Sequence, residues 1–187
     1  IALLMVFIMT QRMMKIVLEK QFCKIIVMNG WGHLSNLPKA NRNIYLRDIW
    51  KSWYVKGINS KVNSIPKIIE LLQNLVKGFE HIVIIGSSSG AYLSAIIGCA
   101  IGVDECFLFS PQFSLSHHNN CIETHPLLKK YSNDPIRAPF FEANKVIMEI
   151  QKKNKKTVFF YFHPFLFIKS FLNFLLKSYL YSIHEIY

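Results

Sequence analysis

The chain has 187 residues, 51% of them hydrophobic and 14% aromatic, with 22 Lys and Arg against 11 Asp and Glu for a formal net charge of +11. That length and composition suit one well-buried domain over residues 1–187; they exclude a disordered chain and a pair of ordinary domains joined by a linker. The positive charge attracts polyanions, but apart from Lys152, Lys153, Lys155 and Lys156 the basic residues are scattered. No recognition-helix, zinc-finger or RNA-binding signature accompanies them, so no specific nucleic acid is expected as a partner.

Residues 1–9 are apolar but short for a membrane span, with no basic stretch ahead of them, and they are not read as a secretion signal. The chain begins with Ile and has methionines at 5, 9, 13 and 14, so the natural start is expected to lie near this opening segment. Residues 24–28, Lys-Ile-Ile-Val-Met, form a β-branched run that stops at Asn29-Gly30-Trp31-Gly32, the pattern of a buried strand ending in a turn. Short strands are predicted at 44–46 and at 52–55, the second closed by Gly57. Ser64 then reads as a helix cap with Pro66 in the first turn; Ile65, Ile68, Ile69, Leu72, Leu75 and Val76 recur at helical spacing until Gly78.

A second continuous apolar run at 81–85 leads into a helix over about 89–101, with Gly90, Ser94, Gly98 and Gly102 at every fourth position, so that its backbone can lie close to a sheet. Strands are predicted at 105–109 and 157–162, with an amphipathic crossover helix at 142–151 between them. Strand alternating with helix implies an α/β fold, a three-layer sandwich whose mostly parallel sheet is covered on both faces. Residues from about 110 to 140 hold Pro111, Pro126, Pro135 and Pro139 with His117, His118 and His125; they read as a lid-like insertion or as a loose surface excursion. Cys23, Cys99, Cys106 and Cys121 form no CxxC pair and are expected to be reduced thiols in a cytoplasmic protein, without a metal site or cofactor.

The run 81–85 enters Gly86-Ser87-Ser88-Ser89-Gly90, a G-x-S-x-G, and then a helix. Such a strand-to-turn-to-helix order holds a serine above a sheet at a helix N-terminus, where developing negative charge is favoured, and the flanking glycines remove side chains that would collide. No Lys-Ser/Thr follows as in a P-loop, and no G-x-G-x-x-G dinucleotide pattern is present. A purely structural or phosphate-holding Gly-Ser turn is the bland counterpart.

With Phe107-Leu108-Phe109-Ser110-Pro111-Gln112 downstream, the elbow resembles the α/β-hydrolase superfamily, and hydrolase-like proteins of bacterial surface-polysaccharide biosynthesis within it. The similarity spans roughly residues 24–157. It implies that Ser88 is a nucleophile, that the Ser89 N–H is one oxyanion donor, and that the second comes from the Gly30 or Trp31 N–H. An ordinary turn with Trp31 in the core is the competing reading there.

The family order is serine, acid, histidine. His163, at the end of the last predicted strand, and His184 are the candidate bases; Asp134, with Glu123 behind it, is the candidate acid, although an Asp in Asn-Asp-Pro also suits a turn. Residues 164–187 are an atypical Phe/Leu/Tyr-rich tail, read as a sign that the terminal strands are missing or replaced, or as a core or membrane-surface helix. Three functions follow: a serine hydrolase or acyltransferase acting on an ester, including an acylated saccharide; a non-catalytic binding or assembly relative in envelope polysaccharide biosynthesis; and a protein in peripheral contact with an anionic membrane.

Overall fold

A computed structural model describes residues 21–27, 40–116, 121–153 and 157–162. The apolar runs pair into one sheet: β1 (Phe22–Val27), β2 (Arg42–Leu46), β3 (His81–Ser87), β4 (Glu105–Phe109) and β5 (Val158–Phe162), in the order β2-β1-β3-β4-β5. Every neighbouring pair is parallel. The helices are α1 (Ile65–Leu75), α2 (Ser89–Ile101), the short α3 (Cys121–Thr124) and α4 (Pro126–Tyr131), and α5 (Ala143–Lys153), with a 3-10 turn at Ala138–Phe141.

The two-faced burial expected of a parallel sheet is present. Helix α2 packs on β3 and β4 and is flanked by α1 and α5. That face contributes Cys23, Ile25 and Val27 of β1, Ile84 of β3, and Cys106 and Leu108 of β4 to the main core. On the opposite face Ile26, Val83, Ile85 and Phe107 are also buried, and Phe107 stacks on Phe160 with centroids 4.7 Å apart. Burial on both sides explains why β1, β3 and β4 read as continuous apolar runs rather than alternating ones. The architecture is therefore α/β, built on an all-parallel sheet among the described residues.

Helix α1 begins after Ser64 with its proline in the first turn, as its sequence indicates, and buries Ile65, Ile68 and Leu72. Helix α2 is buried nearly all round, and a Cβ on Gly98 would lie 3.3 Å from Cys106 Sγ, so the small-residue row does bring helix and sheet together. Gly102 ends it in the left-handed conformation, φ 73°. The four cysteines are buried free thiols; burial pushes Cys23 and Cys99 up to about 11, which keeps them protonated and unreactive at neutral pH. Among the described residues no helix is long and apolar enough to cross a membrane.

Two expectations are corrected. Residues 52–55 are a turn, not a strand: Lys51, Trp53 and Tyr54 all have positive φ (52°, 52° and 62°), and the Asp48 carboxylate accepts the N–H groups of Trp50 (3.1 Å) and Tyr54 (3.0 Å). Local side-chain-to-backbone bonding has overridden the β propensity of Trp-Tyr-Val. The stretch 110–140 is not structureless either. Pro126 and Pro139 sit in the first turns of α4 and the 3-10 turn, where a missing N–H costs nothing, so they start helices rather than break them. Leu115, Leu128 and Phe141 anchor the segment in the core, and Arg137 Nη2 donates to Asn63 O at 2.8 Å.

Candidate active site

Parallel strands put the residues that follow each of them on one edge of the sheet. In the order β2-β1-β3-β4-β5 the chain moves outward from β1 to β2, then reverses to β3 on the other side of β1. The carboxyl edge between β1 and β3 is thus the topological switch point, where crossovers diverge and leave a crevice. Ser88 stands there, directly after β3.

Ser88 is exposed and has φ 53° and ψ −122°, a conformation that costs a non-glycine residue about 1–3 kcal/mol. Two backbone hydrogen bonds hold it. Its N–H donates to Phe109 O of the neighbouring strand (2.9 Å), and its carbonyl accepts Tyr92 N–H (3.1 Å), the first bond of α2. Tyr92, fully buried, donates its hydroxyl to Phe140 O, tying the helix to the 110–140 segment. At Gly86 any Cβ would meet Ser94 Oγ, Gly90 O and Ala91 Cα, all within 2.7 Å, so the strand can pass this close to α2 only as glycine. The Ser88 side chain makes no capping hydrogen bond. Its conformation is not explained by helix capping.

A cavity of about 430 Å³ opens over this serine. One wall is Ser88 and Ser89; the other comes from the turn after β2, with Arg47, Asp48, Ile49, Lys51 and Trp53. All five non-glycine residues with positive φ among the described residues, Lys51, Trp53, Tyr54, Ser88 and Ser110, follow β2, β3 or β4 at this edge. Strain concentrated at one rim is the usual mark of a site that the rest of the fold over-determines. Trp53 is fixed by a 2.6 Å hydrogen bond from Nε1 to Gln112 Oε1 and by an edge contact with the His125 ring, centroids 6.2 Å apart. The Phe-Ser-Pro-Gln segment thus serves the site through Gln112.

Asp48 is almost fully buried, and burial pushes its carboxyl above the usual carboxylate range against the pull of the Tyr54, Trp50 and Ser52 N–H groups and of His125. The raised value means that the folded state holds this proton more tightly than the unfolded chain, so the group's contribution to stability is fully present below the unfolded value near 3.8 and is lost as pH rises through the folded one. Relative to Asp48→Asn, wild type should therefore lose stability as pH is raised from 4 and level off above the folded value, in urea midpoints taken from pH 4 to 7. A flat difference would show that Asp48 is not desolvated. Asp48→Ala, which strips two backbone donors of their acceptor, should cost about 1–3 kcal/mol at pH 7.

Among the residues singled out in the sequence, Ser88 and Ser89 line the cavity together. Gly30, Trp31, His163, His184, His117 and His118 lie outside the described residues. Asp134 takes the turn role: Oδ1 accepts the N–H groups of Ile136 and Arg137 at 3.0 Å, and Oδ2 pairs with Arg137 Nη1 at 2.8 Å. These bonds and the guanidinium hold its carboxyl below the usual range. Glu123 is exposed on α3. Of the described histidines, His81 begins β3 at the far end of that strand and His125 touches Trp53; neither is hydrogen-bonded to Ser88. Arg47, Asp48, Lys51 and Trp53 went unrecognised in the sequence. Their signal was their place directly after a predicted strand of a parallel sheet.

Fold and site together define an α/β protein with an exposed serine on a strained strand-to-helix elbow at the sheet's switch point. No family model and no curated protein matches the chain. Among solved structures it is similar to the crystal structure of esterase B from Lactobacillus rhamnosis inhibited by a tributyrin phosphonate, with 12% identity over 77% of this chain and a TM-score of 0.39. This chain spans 65% of the length of that one.

Proposed function

We propose that the protein is a serine-dependent hydrolase or acyltransferase that cleaves an ester through an acyl-enzyme on Ser88. The observation that carries this is the strained backbone of Ser88, exposed in a cavity at the first turn of a buried helix. Ser88 Oγ attacks the ester carbonyl as a base takes its proton, and the base hands that proton to the alkoxide oxygen as the alcohol leaves; the base then deprotonates water or a second alcohol that takes the acyl group, and returns the proton to Ser88 Oγ. The Ser89 N–H, beside the nucleophile at the helix start, is the oxyanion donor supplied by this wall, and Gly30 or Trp31 after β1 supplies the second. An acylated saccharide in envelope polysaccharide biosynthesis is the substrate in the narrower form of this proposal.

His163, the residue directly after β5, is the base in this scheme, because it follows a strand whose carboxyl end lies on the same edge. His125 is a second candidate, favoured by a buried Nδ1 that has no hydrogen-bond partner among the described residues, by its contact with Trp53 and by its attraction to Asp48. Stopped-flow hydrolysis of 4-nitrophenyl acetate tests the scheme. A burst of 4-nitrophenolate stoichiometric with protein is expected, lost in Ser88→Ala and slowed about 10²–10⁴-fold in the variant that lacks the base, His163→Ala or His125→Ala. Release at the buffer rate by well-folded protein would make the chain a non-catalytic binding or assembly protein on the same scaffold.

A further inference from the structure

We propose that the cavity takes esters bearing a carboxylate or phosphate, with Arg47 and Lys51 receiving the anionic group. This rests on the Ser88 reading above for its chemistry, though not for its binding site.

The described arginines behave differently. Arg42 Nη1 donates to Leu75 O at 2.8 Å, and Arg137 is held by Asp134 and Asn63 O. The guanidinium of Arg47, exposed on the cavity wall, has neither an ion pair nor a hydrogen bond among the described residues, and the same holds for the ammonium of Lys51. Lys56, five residues beyond Lys51, lies instead over the Trp50 ring at 3.2 Å. The cavity's own carboxylate does not answer these two cations, because Asp48 is buried and turned into the N–H groups of Trp50 and Tyr54. Two cations are therefore presented to one concave space in which no described acid is free to pair with them.

The sheet sets the spacing. Arg47 follows β2 and Ser88 follows β3, with β1 between them, so their backbones stand two strand separations apart, on the order of 10 Å. A ligand with its ester carbonyl at Ser88 and its anion several bonds away spans that gap. Lys51 lies in a left-handed conformation within the turn that Asp48 organises, and Trp53 is pinned by Gln112 and His125, so this wall is held in place before a ligand arrives.

The test compares mono-4-nitrophenyl adipate, which carries a free carboxylate, with its methyl ester, in which that charge is capped. At fixed ionic strength we expect kcat/KM to favour the acid by about tenfold or more, and Arg47→Gln/Lys51→Gln to bring the ratio to within about twofold of unity. Lys77→Gln/Lys152→Gln removes two exposed charges next to the opposite, amino edge of the sheet and should keep the preference. Turnover of both esters at Ser88 without preference would overturn the inference and leave the hydrolase reading intact. If neither ester turns over, that reading fails, and calorimetric titration of the full chain with monomethyl adipate and with inorganic phosphate decides the inference alone. Binding lost in Arg47→Gln/Lys51→Gln supports it, and the anion bound more tightly identifies the source; no binding, or binding unchanged by the substitutions, overturns it.

Discussion

Ser88→Ala is expected to lower ester turnover by at least 10³-fold, on the order of what loss of a serine nucleophile costs elsewhere, while leaving the fold intact. The reason is specific to this residue: Ser87 lies in β3 and Ser89 begins α2, whereas Ser88 alone is exposed at the bend between them. Its conformation makes a second variant informative. Ser88→Gly should be equally inactive yet more stable by about 1 kcal/mol, because glycine occupies φ 53° without strain and no capping bond is lost. Opposite signs for activity and stability at one position would mark strain kept for function. Initial rates with 4-nitrophenyl acetate and urea midpoints measure both; an Ser88→Ala protein with wild-type rates would remove Ser88 from the chemistry.

Gly86→Ala is expected to be severely damaging for a single-methyl change, costing about 3 kcal/mol or more in urea unfolding. The added Cβ would fall against Gly90 O and Ala91 Cα, which are backbone and cannot rotate away. The strand has no room to retreat, since Gly86 is in register with Val27 on one side and Leu108 on the other. Gly78→Ala separates this steric cost from a conformational one: nothing lies within 4 Å of its Cβ, but φ is +85°, so about 1–2 kcal/mol is expected. Equal losses in the two variants would mean that α2 does not pack on β3 as closely as described.

The elbow was legible because its glycines answer a local need that sequence records directly. Gly86 and Gly90 bracket a serine between an apolar run and a small-residue helix, and each of those elements occupies its expected place. Helix α1 was legible for a similar reason, with Ser64, Pro66 and Gly78 marking its ends and the spacing of Ile65, Ile68 and Leu72 its buried face. The cavity's second wall was not. It depends on Asp48 accepting an N–H from Tyr54, six residues on, and on positive φ at Lys51, Trp53 and Tyr54, none of which is a residue type that announces a left-handed backbone. The alternation of Ser-Trp-Tyr-Val suited a strand equally well, and only the pull of one buried carboxylate decides between them.

The 110–140 segment shows the same division. Its prolines were read as signs of irregularity, yet Pro126 and Pro139 open helical turns, and Asp134 folds back on Ile136 and Arg137. What could not be read was that Gln112 would reach 59 positions back to hold Trp53. Long-range side-chain pairs of this kind leave no periodic trace.

The most direct test of the central claim is intact and peptide mass spectrometry after treatment of the folded protein with a fluorophosphonate. A single phosphonyl adduct mapped to Ser88, absent from Ser88→Ala, is the predicted result. Folded protein that takes up no adduct, or takes it at another residue with Ser88 unmodified, would contradict the assignment of Ser88 as an activated nucleophile.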